Sequence, residues 1–279
     1  MKIAVLSGKG GTGKTTISAS LASIIHGCAY VDCDVEEPNG FLFLNPKLDC
    51  NEQVLVQVPQ IDEQLCNGCG ACVRICQFNA LALVRGKVLV FPELCHHCGA
   101  CSLVCEPKAI TEIDRSIGNI SWSSNSCFFQ GRLNIGEPAG IPIIKRLKQE
   151  VSKKIDLKAA VFDCSPGASC SVVNSLEGCD YASIVTEPTP FGLHDLKIAV
   201  ELVREMKIPA GVIINKSGDQ DAIIDEYCLA ENVPVSLRVP YSRKIAEHYA
   251  RGILPVEDDE ALAISLTELY HSIRGEVCS

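Results

Sequence analysis

Short apolar runs and helical spacings alternate along this chain. The first run covers residues 3–6 and is typical of a buried strand, and a run at 28–33 predicts a second one. Between them, apolar residues recur at the spacing of one helix face, at Ile17, Leu21, Ile24 and Ile25. Later strands are predicted at 159–162, 181–185, 210–214 and 233–237, and helices at 141–155, 193–206 and 259–274. This alternation predicts an α/β fold with a mostly parallel, doubly wound sheet.

A glycine-rich stretch joins the first predicted strand to the first predicted helix. The residues from Gly8 to Thr15, GKGGTGKT, fit the pattern G-x-x-x-x-G-K-[ST]. Glycines let backbone N–H groups turn toward a phosphate, and the helix N-terminus adds partial positive charge. We expect Lys14 to reach the β- and γ-phosphates and the Thr15 hydroxyl to bind Mg²⁺. The predicted nucleotide-binding residues are Gly8, Lys9, Gly10, Gly11, Thr12, Gly13, Lys14, Thr15 and Thr16.

A chance glycine turn before a helix is the alternative interpretation of this stretch. The strand before it and the helix after it count against that alternative, because a phosphate-binding loop requires both neighbours.

Two copies of one cysteine pattern interrupt the alternation between residues 48 and 124. Both fit C-x2-C-x2-C-x3-C, with Gly-Ala-Cys inside each: Cys66, Cys69, Cys72 and Cys76, then Cys95, Cys98, Cys101 and Cys105. In a reducing compartment, 17 cysteines among 279 residues indicate metal binding rather than disulfides. A pair of zinc sites is the alternative, although zinc ligands usually come in two pairs separated by a longer gap.

This duplication resembles a bacterial ferredoxin with two [4Fe–4S] clusters, in which three close cysteines hold one cluster and the fourth reaches the other. The resemblance implies one cluster on Cys66, Cys69, Cys72 and Cys105, and another on Cys95, Cys98, Cys101 and Cys76. The usual proline after the fourth cysteine is absent, because Gln77 follows Cys76 and Glu106 precedes Pro107. This departure concerns the turn after the ligand and leaves the ligands themselves intact.

The early lysine of the glycine-rich stretch, Lys9, carries a second resemblance. KGGTGKTT resembles the deviant P-loop of the ATPase family that includes septum-site positioning, plasmid-partitioning and nitrogenase iron-protein ATPases. In that family this lysine crosses a dimer interface to the nucleotide of the other subunit. The resemblance therefore implies an ATP-sandwiched dimer, either a homodimer or a heterodimer with a paralogue.

Carboxylates follow two of the predicted strands, where ligand sites of α/β sheets form. The stretch VDCDVEEPN resembles the first switch of this family, which implies that Asp32 helps hold the Mg²⁺ shell and that Asp34 orients the attacking water. Asp163 ends another apolar strand, as expected of a Walker B carboxylate. DCSPG resembles the second switch, in which Gly167 would donate to the γ-phosphate. An acidic, solvated turn is the alternative for the first pair.

Two further stretches resemble parts of the same family. Asn215 and Lys216 are similar to its adenine-reading pair, and Pro240 lies in a stretch similar to the loop that closes over the base. A helix N-cap or turn role is the alternative for the asparagine. Residues 128–140, FFQGRLNIGEPAG, resemble a stretch that follows the insert in ferredoxin-bearing members, and the residues themselves predict no role for it.

Charge and composition favour some partners and disfavour others. The formal charge of −9 gives no electrostatic footprint for nucleic acid, so we expect none to bind. We expect no membrane association either, because the chain has no run of 18 apolar residues and Arg274 is the only lysine or arginine after Asp259. The strand at residue 3 leaves no room for a signal peptide, which predicts a cytoplasmic protein.

Together these features predict a discontinuous P-loop ATPase domain, residues 1–47 and 126–279, interrupted by a small α+β ferredoxin-like insert at 48–125. We expect Lys9, Lys14, Asp34 and Asp163 to be catalytic, and ATP, Mg²⁺ and two [4Fe–4S] clusters to be bound. The predicted function is Mg-ATP-driven switching of a dimer, coupled to electron transfer or cofactor maturation of a redox or metalloprotein partner. The alternatives are a positioning or partitioning ATPase, a ligase like the cobyrinate amide synthases, and a ferredoxin on an inactive scaffold.

Overall fold

A computed structural model describes residues 1–125 and 127–278. Within these ranges the strands are β1 Lys2–Leu6, β2 Cys28–Asp32, β3 Cys50–Ile61, β4 Leu81–Val84, β5 Lys87–Val90, β6 Ile110–Trp122, β7 Phe128–Leu133, β8 Ala159–Asp163, β9 Tyr181–Thr186, β10 Ala210–Ser217 and β11 Val235–Pro240. The helices are α1 Lys14–Ile24, α2 Phe41–Leu44, α3 Ala71–Ile75, α4 Ala100–Leu103, α5 Ile141–Ser152, α6 Cys170–Leu176, α7 Pro190–Glu205, α8 Ala222–Ala230, α9 Arg243–Ala250 and α10 Glu260–Cys278. Two 3₁₀ turns lie at Pro92–Leu94 and Pro255–Glu257.

One sheet organises the described part of the chain, with the strand order β11-β10-β9-β1-β8-β2-β7-β6-β3. The pairs from β11 through β7 are parallel, and the last two pairs, β7 with β6 and β6 with β3, are antiparallel. Parallel strands need crossover connections, and single helices supply them from β1 to β2 and from β7 through β11. The predicted α/β fold with a mostly parallel, doubly wound sheet is therefore confirmed.

Hydrophobic cores cover both faces of this sheet. Along β1, Ile3 and Val5 belong to a core shared with α1 and α10, while Ala4 and Leu6 belong to a core shared with α5, α6 and α7. Successive strand residues point to opposite faces, so a strand buried on both faces must be apolar throughout. This requirement explains the unbroken apolar run at the start of the chain.

The ends of several elements differ from the pattern-based prediction. The helix predicted at 141–155 ends at Ser152, and the strand predicted at 233–237 covers Val235–Pro240. The last helix extends beyond residue 274 to Cys278. Its predicted core positions are buried, at Leu262, Leu266, Leu269 and Ile273. Among the described residues, no helix is long and apolar enough to cross a membrane.

The cysteine-rich part of the chain extends the nucleotide-binding sheet. Strands β3 and β6 form a long antiparallel hairpin, from the Cys50–Trp122 pair to the Ile61–Ile110 pair. Residues 62–109, here called the cysteine lobe, lie at the far end of this hairpin and contain α3, β4, β5 and α4. The insert boundaries predicted at 48 and 125 stay a prediction, and the ends predicted at 126 and 279 fall on residues outside the described ranges.

Candidate functional site

The glycine-rich loop connects β1 to α1 with a tightly packed backbone. Gly13 caps α1 with φ 86° and ψ 14°, in the left-handed region that favours glycine. A Cβ atom at Gly13 would lie 2.2 Å from Asn215 Nδ2, and one at Gly8 would lie 2.3 Å from Asp195 Cβ. Glycine is therefore needed at position 13 for the turn and for close packing against β10. At position 8 it is needed for close packing against α7.

A cavity of about 460 Å³ opens above this loop. Its volume lies in the range of roughly 300–1,000 Å³ that small-molecule sites occupy. Among the predicted site residues, the cavity is lined by Lys9, Gly10, Gly11, Thr12, Gly13, Lys14, Thr15, Thr16, Asp34, Asn215, Lys216 and Pro240. Gly8, Asp32, Asp163 and Gly167 are not part of its lining.

The lining of the cavity combines polar with apolar and aromatic groups. Thr12 Oγ1, Ser20 Oγ and Asn39 Oδ1 are buried without a hydrogen-bond partner among the described residues, and all three residues line the cavity. Tyr241, Ile245, Tyr249 and Leu262 line it as well. This mixed lining suits a ligand with polar groups and a flat apolar ring, such as a nucleotide.

Lys14 and Asp163 form a deeply buried ion pair at the base of the loop. The Lys14 side chain is 8% exposed and that of Asp163 is 1% exposed. Tyr30 donates its hydroxyl to the other carboxylate oxygen of Asp163 at 2.6 Å. Burial lowers the pKa of Lys14, but the charge and hydrogen bond of Asp163 outweigh burial and raise it overall. Lys14 is therefore a permanent cation held by Asp163 in the nucleotide-free protein.

Asp32 holds the loop that follows β2. Its carboxylate accepts backbone N–H bonds from Asp34 at 3.1 Å and from Asn39 and Gly40 at 3.0 Å each. Complete burial, followed by the charge of Asp163, raises the pKa of Asp32 to about 7. Burial also raises the pKa of Asp34, although the charge of Lys14 opposes that shift. The carboxylates predicted to bind Mg²⁺ and water thus cluster at the ends of β2 and β8.

The remaining predicted residues meet the loop through hydrogen bonds and ion pairs. Asn215 Nδ2 donates to the Thr12 carbonyl at 2.7 Å, at a bulge of β10 where Lys216 has a left-handed φ of 56°. Gly167 donates its N–H to the Ser7 carbonyl at 2.9 Å. Glu187 lies 2.5 Å from the Lys216 ammonium and 4.0 Å from that of Lys9. The structure therefore brings both predicted switches, Lys9 and Lys216 close to the glycine-rich loop.

Two residues of this site escape the sequence motifs. Tyr30 lies two positions before Asp32 and so on the same face of β2, but a tyrosine in a buried strand looks like core packing. Glu187 directly follows β9, and a glutamate after a strand is common in exposed turns. The feature that could have identified both residues is their position near the carboxyl end of a parallel strand, where ligand sites of open α/β sheets form.

The eight motif cysteines surround two cavities in the cysteine lobe. One is lined by Cys66, Cys69, Cys72 and Cys105, and the other by Cys76, Cys95, Cys98 and Cys101. Each cavity therefore combines three cysteines of one motif with the fourth of the other, the two sets implied by the ferredoxin resemblance. Glycines with φ 69° begin both short helices, Gly70 before α3 and Gly99 before α4.

The thiols of each set lie close enough to influence one another. Burial raises the pKa of Cys72, and the thiols of Cys66 and Cys105 raise it further. Burial likewise raises the pKa of Cys95, with further contributions from Cys98 and Cys76. Among the described residues, however, no three Cys, His, Asp or Glu side chains are arranged to hold a single metal ion.

The chemistry of the two sets fits [4Fe–4S] clusters, which take four thiolates each. Backbone N–H groups also point at two of the sulfurs, from His97 to Cys95 Sγ at 3.5 Å and from Ala109 to Cys105 Sγ at 3.3 Å. Such hydrogen bonds to sulfur set the potential of iron–sulfur clusters. Cluster binding itself stays a prediction.

Nine cysteines lie outside these motifs, and five of them are buried. Cys164, which follows Asp163, is fully buried, and its pKa is raised well above the usual value by burial and then by Cys33 and Cys179. A buried thiol with a raised pKa is a poor nucleophile, so packing explains these residues. The five buried cysteines are Cys28, Cys33, Cys164, Cys179 and Cys228.

The loop, the parallel sheet and the cavity define the class of protein, a P-loop nucleotide-binding α/β protein. Residues 3–256 match the family model of the CobQ/CobB/MinD/ParA nucleotide binding domain. The chain belongs to that family.

The chain is also similar to two uncharacterized proteins and to solved structures. Two proteins of Methanocaldococcus jannaschii are similar over most of their length: uncharacterized protein MJ0579, 32% identical with 90% of each chain covered, and uncharacterized protein MJ0578, 30% identical with 98% of this chain and 96% of that protein covered. The Pyrococcus horikoshii septum site-determining protein MinD complexed with Mg-ADP has a TM-score of 0.58 at 19% identity, covering 99% of this chain and 98% of that one. The Pyrococcus furiosus cell division ATPase MinD has a TM-score of 0.58 at 17% identity, covering 98% of both chains. At these identities the solved structures show the fold alone.

Proposed function

We propose that this protein is an Mg-ATP-dependent ATPase whose nucleotide state controls a lobe with two [4Fe–4S] clusters, and that the lobe serves a redox or metalloprotein partner. The observation that carries the proposal is the pair of four-cysteine cavities, each built from both motifs. They lie on a hairpin that is hydrogen-bonded into the nucleotide-binding sheet. A lobe joined to the sheet in this way can respond to the nucleotide, whereas a flexibly tethered ferredoxin could not.

The chain's own residues suit phosphoryl transfer. Lys14 exchanges Asp163 for the β- and γ-phosphates, which frees the Asp163 carboxylate to act with Asp32 and Thr15 as the Mg²⁺-binding residues. The metal would neutralise charge on the phosphates. Asp34 orients the attacking water, and Asn215 with Lys216 contacts the base. Lys9 leaves Glu187 and reaches the nucleotide of a second subunit, a homodimer mate or a paralogue.

Anaerobic purification followed by iron, sulfide and ATPase assays tests this function. We expect two [4Fe–4S] clusters per chain, and one fewer in Cys69→Ser or Cys98→Ser. Cys170, which is exposed and lies outside the motifs, provides the matched control, since Cys170→Ser should keep both clusters. Protein that hydrolyses ATP but contains no iron would exclude the cluster role and leave the ATPase role.

A positioning or partitioning ATPase is the second candidate. The comparisons support it better than they support the iron–sulfur role, because the MinD structures come from septum-site and cell-division proteins. Pelleting with anionic liposomes and filter binding with duplex DNA, each with and without ATP, would test it. ATP-dependent binding to either would favour this candidate over the first.

An ATP-dependent ligase is favoured only by the CobQ and CobB members in the family description. A rate of ADP formation that rises with a small carboxylate substrate would favour ligation. A rate that does not change with such substrates would exclude it.

A further inference from the structure

The segment 128–140 packs against Val35, the residue after Asp34, and also pairs with Arg115 of the long hairpin that carries the cysteine lobe. Strand β7 forms its first half, and the loop 134–140 leads from β7 into α5. None of its residues lines the nucleotide cavity. Its contacts are nevertheless specific at three places.

Three residues of the segment, Gly131, Leu133 and Gly140, contact Val35, the residue after Asp34. The Leu133 N–H donates to the Val35 carbonyl at 2.8 Å. A Cβ atom at Gly131 would lie 2.8 Å from Val35 Cγ1, and one at Gly140 would lie 2.3 Å from Val35 Cγ2. Both glycines therefore make room for Val35, which is 1% exposed. Because the packing is this tight, a movement of the loop at Asp34 must also move the segment.

In the middle, the segment is fastened to a bulge in the long hairpin. Val54 pairs with Gly118 and Leu55 with Ser116, so Ile117 has no partner on β3. The Asn134 N–H donates to the Ile117 carbonyl at 2.9 Å. A bulge bends its strand, and this one lies two residues from Arg115 on the same strand.

Glu137 of the segment forms an ion pair with Arg115 of β6. The two guanidinium nitrogens donate to the two carboxylate oxygens at 2.7 and 2.8 Å, and the glutamate side chain is only 5% exposed. The same guanidinium lies 3.4 Å from the Pro92 carbonyl. The 3₁₀ turn Pro92–Leu94 ends directly before Cys95. A bidentate pair fixes direction as well as distance, so it transmits displacement well.

We propose that the Arg115–Glu137 pair is the joint through which the loop at Asp34 acts on the second cysteine cavity, an inference that rests on the proposed function. The contacts run from Asp34 through Val35 and Leu133 to Glu137, and from Arg115 to the turn before Cys95. Because this route ends at Cys95, the nucleotide changes the surroundings of the second cavity and leaves those of the first unchanged.

Hydrogen–deuterium exchange of anaerobic, iron-loaded protein tests the joint, with no nucleotide, with Mg-ADP and with a nonhydrolysable ATP analogue plus Mg²⁺. In the native chain, nucleotide should change exchange at 34–40 and, at least about threefold, at 93–98, but not at 66–72. Glu137→Gln and Arg115→Lys should keep the response at 34–40 and lose the one at 93–98. Glu52→Gln is the matched control, because it breaks the bidentate Arg146–Glu52 pair between α5 and β3 and should keep both responses.

The possible outcomes distinguish a failure of the proposed joint from a failure of the proposed function. A response at 93–98 of undiminished size in Glu137→Gln overturns the joint, as does native, iron-loaded protein that responds at 34–40 and not at 93–98. Protein without iron, or without any nucleotide response at 34–40, overturns the proposed function and the joint with it.

Discussion

The nucleotide-binding half and the cysteine lobe achieve order in different ways. Strand β1 is completely buried from Ile3 to Leu6, and its sheet is covered by hydrophobic cores on both faces. In the lobe, by contrast, the only buried hydrophobic residues in the described structure are Cys72, Ala80, Leu81, Cys95 and Ala109. Many of its larger apolar side chains are exposed, among them Leu65, Ile75, Phe78, Leu89 and Leu103. The nucleotide-binding half is stabilised by its own core, whereas the lobe buries few hydrophobic side chains, so the proposed clusters would supply much of its stability.

The largest expected effect follows from removing iron. In protein that carries the proposed clusters, their oxidative destruction followed by chelation should lower amide protection in residues 62–109 by about 10⁴-fold, equivalent to about 5.5 kcal/mol. Protection in β1 and β8 should fall by less than about tenfold, because their core does not involve the lobe. Hydrogen exchange measures both in one sample. Equal loss of protection in the lobe and the sheet would abolish the contrast between the halves.

A smaller but still large effect is expected at the buried ion pair of the nucleotide half. Lys14→Ala leaves the Asp163 carboxylate buried without its cation, which should lower the free energy of unfolding by about 3–5 kcal/mol. Lys9→Ala removes a side chain that is 35% exposed and 4.0 Å from its carboxylate, so stability should change by less than about 1 kcal/mol. Urea unfolding measures stability, and ATP hydrolysis should fall at least about 100-fold in both variants. If Lys9→Ala destabilised the protein as much as Lys14→Ala, Lys14 would have no special role in the fold.

The pH dependence of stability sharpens the same contrast. In nucleotide-free protein with EDTA, Asp32 keeps its proton up to about pH 7, whereas in the unfolded chain it loses the proton near pH 3.8. Between these values the folded state binds more protons, so Asp32 makes the free energy of unfolding fall as the pH rises, by at most about 4 kcal/mol. Urea unfolding at pH 5 and pH 8 should show a smaller fall in Asp32→Asn than in the native chain. Asp219→Asn, at an exposed position, is the control, and an identical fall in all three proteins would contradict the buried position of Asp32.

The smallest effect is expected at Tyr30. Tyr30→Phe removes one donor from Asp163 and should lower the free energy of unfolding by roughly 1.5–3 kcal/mol. The Mg²⁺ concentration needed for half-maximal ATP hydrolysis should change as well, because Asp163, which we propose as a Mg²⁺-binding residue, loses the hydrogen bond that positions its carboxylate. The Phe128 ring stacks on Tyr30 with the two centroids 5.4 Å apart. Phe128→Leu changes this packing but keeps the hydroxyl of Tyr30, so it tests whether packing alone explains the result. A change in Mg²⁺ dependence of the same size in Phe128→Leu would remove Tyr30 from the site.

The sequence was most informative where function depends on adjacent residues. The loop from Gly8 to Thr15 could be predicted because its glycines, Lys14 and Thr15 act at fixed offsets. The grouping of Cys105 with Cys66 needed the resemblance to two-cluster ferredoxins, because spacing alone leaves the pairing open. The pair Lys14–Asp163 and its contact with Tyr30 depend on the register of β2 beside β8, which no local pattern reveals.

The segment 128–140 shows why other roles could not be predicted from the sequence. Its glycines look like loop residues, yet Gly131 and Gly140 are fixed by the side chain of Val35, which is far away in the sequence. Glu137 looks like a surface acid, yet it is paired with Arg115 beside the second cysteine cavity. Such roles arise only when tertiary structure brings distant residues together.

A redox titration followed by electron paramagnetic resonance tests most directly whether the nucleotide half controls the lobe. Anaerobic protein carrying both clusters would be titrated without nucleotide and with saturating Mg-ATP. The account predicts that Mg-ATP shifts the midpoint potential of one cluster by at least about 59 mV, a tenfold change in the equilibrium constant of a one-electron couple. Superimposable titrations, in protein shown to hold both clusters and to have bound the nucleotide, would contradict it.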